Sequence, residues 1–186
     1  TQDRSSGRVV LLAVVAARTA NDLFARLIDP EHLEHAAALT VRGKRRRADV
    51  SWFLFERDRN LLRIRAQLVA GEWRPQRFSR LYVHDPKPRV IARAQVEDRV
   101  VHTAVANLCS PIFLRSATAS DFACRAGMGT HRALLALLLA MRRPRFALHL
   151  DIRAYFPSID VDVLRGLLAQ RIHDVAFLAV VDRILD

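Results

Sequence analysis

"HLDIRAYFPSID", His149–Asp160, is the stretch on which the reading of this chain turns. It continues "RFALHLDI", an alternation that fills with apolar side chains as a half-buried or interior strand does. Yet it delivers a carboxylate, Asp151, where burying a charge is costly. Two aromatics, Tyr155 and Phe156, follow at once, and Pro157 and Ser158 break the run before a new helical pattern begins. The residues predict a strand with an acid at its end. That acid reads as a phosphoacceptor, a Mg²⁺ ligand or a buried structural group, and the aromatic pair as a functional wall or as ordinary core.

Downstream, "VDVLRGLLAQRI" and "VAFLAVVDRIL" read as helices, with Asp160 and Asp162 placed to cap the first. Upstream, Gly127 and Gly129 precede Thr130, the expected N-cap of the apolar helix in "THRALLALLLAMRR". Glycines before a helix N-terminus let a phosphate approach backbone amides, although a tight turn alone also explains them. From Val96 to Leu114, the residues Val100, Val101, Val105 and Leu108 form a helical stripe, disturbed in its last turn by Pro111.

Before that helix the period is two. "RFSRLYVH" and "RVIARA" flank the turn "DPKP" and predict a basic hairpin with Lys87 and Arg89 at and just past its tip. The apolar residues between Ala48 and Ala70 fall near helical spacing, with Gly71 as a stop and a break expected near Asp58–Asn60. "RGKRRR" reads as a basic loop, and "DPEHLEHAAAL" as a helix capped by Asp29 with Pro30 in its first turn. "RVVLLAVVAARTA", near the start, is short and contains Arg18, so it reads as an amphipathic or buried helix; a span needs about 20 apolar residues.

Composition fits a globular unit: 186 residues, 51% of them hydrophobic, with only 6 Gly and 7 Pro. Two cysteines, Cys109 and Cys124, are too few for a disulfide framework and lack metal-ligand spacing, so a reducing, cytoplasmic setting is expected. The formal charge is +11, and residues 42–99 hold 16 basic against 7 acidic side chains, a local excess of +9. Such concentrated charge points to a polyanion partner, because neutralised phosphates release condensed counterions. The order of elements predicts an α+β fold.

The succession "DPKPRVI", "EDRVVHTAVANLCSPIF", "CRAGMGTHRAL" and "LDIRAYFPSID" resembles the fingers and early palm of bacterial reverse transcriptases, most of all those of diversity-generating retroelements and group II introns. The likeness runs from about Trp52 to Asp160 and lies in order and spacing. It implies fingers over 48–145 and the beginning of the palm over 146–186, after an N-terminal helical extension with a basic loop over 1–47. It implies that Asp151 binds two catalytic Mg²⁺ ions with a backbone carbonyl from Ile152, and that Phe156 stacks under the sugar and excludes a 2′-hydroxyl, with Tyr155 beside the nucleotide. Lys87 and Arg89 correspond to cations that contact the incoming triphosphate. An RNA template, a DNA or RNA primer and deoxynucleoside triphosphates are the implied partners, with a retroelement RNA or accessory protein beside them and no membrane. Arg45, Arg46, Arg47, Arg80, Arg93, Gly129 and Thr130 are the residues expected along the nucleic acid.

The second metal-binding motif of that family, an aromatic, any residue and two aspartates, does not occur in these 186 residues. Asp182 and Asp186 of "VVDRILD" lie on a helical pattern. Two-metal chemistry takes carboxylates from both places, so the chain alone is expected to be inactive. The competing readings are a non-catalytic nucleic-acid-binding module that keeps the fingers surface, and a Mg²⁺ phosphatase or nuclease using Asp160 and Asp162 beside Asp151.

Overall fold

Asp29 starts the first long helix as its side chain predicts: Oδ1 accepts the His32 amide at 2.9 Å, and Pro30 occupies the first turn, where a missing N–H leaves nothing unpaired. The structure, a computed structural model, describes residues 22–84, 88–142 and 146–186. In chain order these form α1 (Leu23–Leu27), α2 (Pro30–Val41), α3 (Ala48–Phe55), α4 (Arg57–Val69), β1 (Ser79–His84), β2 (Pro88–Arg93), α5 (Val96–Phe113), α6 (Thr130–Ala140), α7 (Val161–Ala169) and α8 (Val175–Leu185). The result is helix-rich, with a two-stranded antiparallel hairpin, and is compatible with the expected α+β class. The apolar run near the start of the chain lies outside the described residues. No described helix is long and apolar enough to cross a membrane.

The central element is α5. Its stripe of Val100, Val101, Val105 and Leu108 is buried as the spacing predicts, and α1, α2, α3 and α4 all pack on it. Where α2 packs along α5, Ala36 and Ala37 of the one and Ala104 of the other have almost no exposed surface, and small side chains let two backbones approach closely. Polar groups in the seam are paired: Thr40 Oγ1 donates to the Ala36 carbonyl at 2.8 Å and lies 2.9 Å from Thr103 Oγ1, and His32 Nε2 donates to the Ala104 carbonyl at 3.0 Å.

The helical run from Ala48 breaks at Glu56, two residues before the expected place. The cause is Asn60, which is buried and donates from Nδ2 to the Phe53 carbonyl at 3.1 Å. That bond satisfies one of the orphaned carbonyls at the end of α3 and turns α4 away from it.

The last described helix, α8, returns to α1. Asp174 Oδ1 accepts the Phe177 amide at 3.0 Å, capping α8, while Oδ2 accepts the Phe24 amide of α1 at 2.7 Å. Ile172, Phe177, Val180 and Val181 complete the core that Leu23, Leu27, Leu33, Val50, Ile64 and Leu68 begin. Every fully buried apolar side chain among the described residues lies at 23–108 or 172–181. No described residue between Leu108 and Ile172 is buried.

Candidate nucleic-acid interface

Hairpin register decides which cations share a face. Ser79 pairs with Arg93, Tyr82 with Val90, and Val83 with Arg89. Side chains alternate along a strand, so Arg89 and Arg93 lie on one face with Ser79, while Arg80 lies on the other with Tyr82. The expected basic surface of the hairpin is therefore split. Arg89 and Arg80 are both exposed, and Lys87, with the turn residues Asp85 and Pro86, lies outside the described residues. Arg45 and Arg46 are exposed in the loop before α3, as the basic run predicted.

Arg93 instead turns inward at the hairpin base. Its Nε donates to Ser79 Oγ at 3.2 Å, and its Nη2 stands 3.7 Å from Asp49 Oδ2. Arg47 grips the same carboxylate with two bonds, Nε to Oδ1 at 3.2 Å and Nη2 to Oδ2 at 3.1 Å, and Arg99 of α5 adds Nη2 to Oδ2 at 3.2 Å. Burial works against the Asp49 charge, but the Arg47 hydrogen bond and the charges of Arg47, Arg93 and Arg99 outweigh it and hold the carboxyl below its usual range. Arg99 is pushed down, first by burial and then by its neighbouring arginines, against the pull of Asp49. Asp49 and Arg99 were not expected from the sequence. An acid two residues after an arginine run, at a helix start, is a visible signal, but its partner fifty residues away is not.

A second acid anchors the segment leading into the hairpin. Asp98 is 1% exposed, and its Oδ2 accepts the Gln76 amide at 2.9 Å, tying that segment to α5. Its Oδ1 and the Nε2 of His102, one turn further along, have no hydrogen-bond partner. Burial raises the Asp98 carboxyl, and burial lowers the His102 imidazole against the attraction of Asp98.

The Asp151 stretch departs from expectation. Residues 146–152 form no strand: no other strand lies beside them among the described residues, and an extended segment without a partner has no ladder to join. Phe146, Leu148 and Leu150 are consequently 91%, 83% and 78% exposed. Asp151 is exposed rather than buried, and the Ile152 side chain is exposed beside it. Ala154, at φ 51°, leads into a 3₁₀ turn over Phe156–Ser158, in which the Ser158 amide and Oγ both donate to the Tyr155 carbonyl. Tyr155 and Phe156 meet edge to face at 5.3 Å, and both are exposed, Phe156 by 81%.

Thr130 is the first residue of α6 rather than its N-cap. That place belongs to Gly129, whose φ of 116° few side chains adopt, and no side chain caps the helix. Asp160 caps α7, accepting the Asp162 and Val163 amides at 2.9 and 3.1 Å, and Asp162 pairs with Arg165. Both acids are thus accounted for by the helix start. No group of three or more His, Cys, Asp or Glu side chains placed to hold a metal occurs among the described residues. No hydrogen bond or ion pair among them joins the hairpin to the Asp151 turn. A scan against protein-family models gives no match, and no curated protein matches the chain.

Proposed function

We propose that this chain forms the fingers, over 48–145, and the beginning of the palm, from 146, of an RNA-directed DNA polymerase that adds deoxynucleotides to a primer on an RNA template. The observation that carries the reading is that Asp151 and Phe156 are exposed together at the surface, five residues apart. The resemblance in motif order and the exposed cations Arg45, Arg46, Arg80 and Arg89 support it. Two Mg²⁺ ions need several carboxylate oxygens, and the described residues do not by themselves make such a centre. The role assigned to this chain is therefore to bind, orient and discriminate. Arg89 meets the charge of the triphosphate, and Phe156 leaves no hydrogen-bond partner for a 2′-hydroxyl, which loses its solvation against aromatic carbon.

Nucleotide binding by the 186-residue chain, followed by fluorescence with labelled deoxy- and ribonucleoside triphosphates in the presence and absence of Mg²⁺, tests this. The expected result is Mg²⁺-dependent binding that favours the deoxynucleotide, with Phe156→Ala erasing the sugar preference. Salt-sensitive RNA binding without metal-dependent nucleotide binding sinks the polymerase reading. It leaves the non-catalytic nucleic-acid-binding module as the reading.

A further inference from the structure

Residues 72–78, which lead from α4 into the hairpin, have no regular structure, so side chains fasten them to α5. The Gln76 amide donates to Asp98 Oδ2 at 2.9 Å, and Gln76 Nε2 donates to Glu97 Oε2 at 3.0 Å. Trp73, 2% exposed, meets the His102 ring edge to face at 6.5 Å. Beside this clamp lie two buried atoms without partners, Asp98 Oδ1 and His102 Nε2. They belong to residues four apart on one helix, a spacing that makes side chains neighbours. One hydrogen between them, on either atom, sets a donor against an acceptor. No hydrogen sets two lone pairs face to face, and two set donor against donor.

Among the described residues, the neighbouring charges are committed elsewhere. On α5, Glu97 is held by Arg63 of α4, and Arg99 pairs with Asp49 of α3. His32 of α2 donates to the Ala104 carbonyl, and Arg74 of the segment itself donates to the Gly71 and Trp73 carbonyls. Arg26 of α1 is exposed, and Arg183 of α8 lies beside Gly71, just before the segment.

We propose that Asp98 and His102 share one proton between Oδ1 and Nε2, and that uptake of a second proton from solvent releases residues 72–78, and with them the hairpin base, from α5. The inference goes beyond the function proposed above and does not depend on it, because it concerns how the hairpin is held and not what the hairpin meets. The second proton leaves hydrogen on both atoms, so the buried imidazolium faces a neutral carboxyl with no counter-charge. That carboxyl is also a weaker acceptor for the Gln76 amide than a carboxylate is. Burial holds His102 below the ordinary imidazole range, so the clamp holds at neutral pH and opens in acid, below about pH 6.5.

Amide hydrogen exchange of the 186-residue chain, followed by NMR from neutral pH down to about pH 5 and corrected for intrinsic exchange, reads the clamp directly. Protection of the Gln76 amide is expected to fall by up to about tenfold per pH unit once His102 takes up its proton, and to vanish while Val100 and Val101 of α5 remain protected. Equal protection at Gln76 and Val101 at every pH means that only global unfolding opens the segment, and overturns the switch. His102→Gln keeps a donor for Oδ1 that does not titrate, and is expected to abolish the acid loss at Gln76; persistence of that loss also overturns the switch. Asp98→Asn keeps an oxygen for the Gln76 amide but removes the negative charge, so the His102 imidazole is expected to titrate at lower pH than in the wild type. An unmoved His102 titration overturns the shared proton. Val101 protection shows whether each variant is folded, and where Asp98→Asn is not, the wild-type and His102→Gln profiles decide.

Discussion

The helices gathered on α5 and the segment from Leu114 to Arg171 are built from similar amounts of apolar sequence, yet only the first set is buried. Leu33, Ile64, Val100 and Phe177 have at most 1% of their surface exposed, whereas Leu134, Leu135, Leu137 and Leu138 of α6 are all more than half exposed. An amphipathic or apolar face is only half of a packing interaction; the other half is a partner placed opposite it. The first region holds the chain together and also presents Arg45, Arg46, Arg80 and Arg89, while the second presents Asp151 and Phe156 with little packed against it.

The sharpest way to break that contrast is a truncation in each region. Phe177→Ala removes a wholly buried ring and is expected to cost about 3–5 kcal/mol in urea unfolding, enough to leave the chain partly unfolded. A cost below about 1 kcal/mol would show that α8 is not part of the core.

Acid should act on the packed region next. His102 has its imidazole lowered by burial, so the unfolded chain takes up a proton near pH 6.5 that the folded one refuses. That contribution to stability is present above about pH 6.5 and is lost as the pH falls toward the lowered value, no more steeply than about 1.4 kcal/mol per pH unit. Asp98, raised by burial, acts in the opposite sense, stabilising most below its ordinary range and losing that contribution as pH rises through its folded value. Urea melts between pH 7.5 and 5.5 should therefore show a smaller acid loss in His102→Gln than in the wild type; identical pH profiles would remove His102 from the account.

The two thiols report on the two regions without disturbing either. Burial pushes Cys109 up to about 11, so only about a thousandth is thiolate at pH 8, whereas Cys124 is exposed. A thiol-reactive dye should label one cysteine quickly, identified by mass spectrometry as Cys124, and Cys109 only on unfolding. Equal rates would mean that the end of α5 is open. The smallest effect belongs to Phe156→Ala, expected to leave stability within about 0.5 kcal/mol of wild type because the ring has little to lose. A larger loss would move Phe156 from the interface to the core.

What was legible in the sequence follows the same division. The α5 stripe, the Asp29 and Asp160 caps, the Gly71 stop and the hairpin came from local patterns that carry their own physical cause. The break at Glu56 was misplaced because its cause is Asn60 reaching back seven residues. The strand expected through Leu150 did not form because alternation specifies two faces but supplies no neighbouring strand. At the candidate site, exposure of Arg45, Arg46, Arg80 and Arg89 followed from composition. The convergence of Arg47, Arg93 and Arg99 on Asp49 did not, since it depends on how α3, β2 and α5 meet.

The bond from the Phe24 amide to Asp174 links residues 150 positions apart and thereby sets a timetable for synthesis. At about 5–20 residues per second, α1 leaves the ribosome about 8–30 s before the helix that seals it. During that interval Leu23 and Leu27 lack the cover of Phe177 and Val180, and α2 to α5 can assemble without them. The apolar face of α1 in the nascent chain is therefore open to chaperone capture and to proteolysis until α8 arrives.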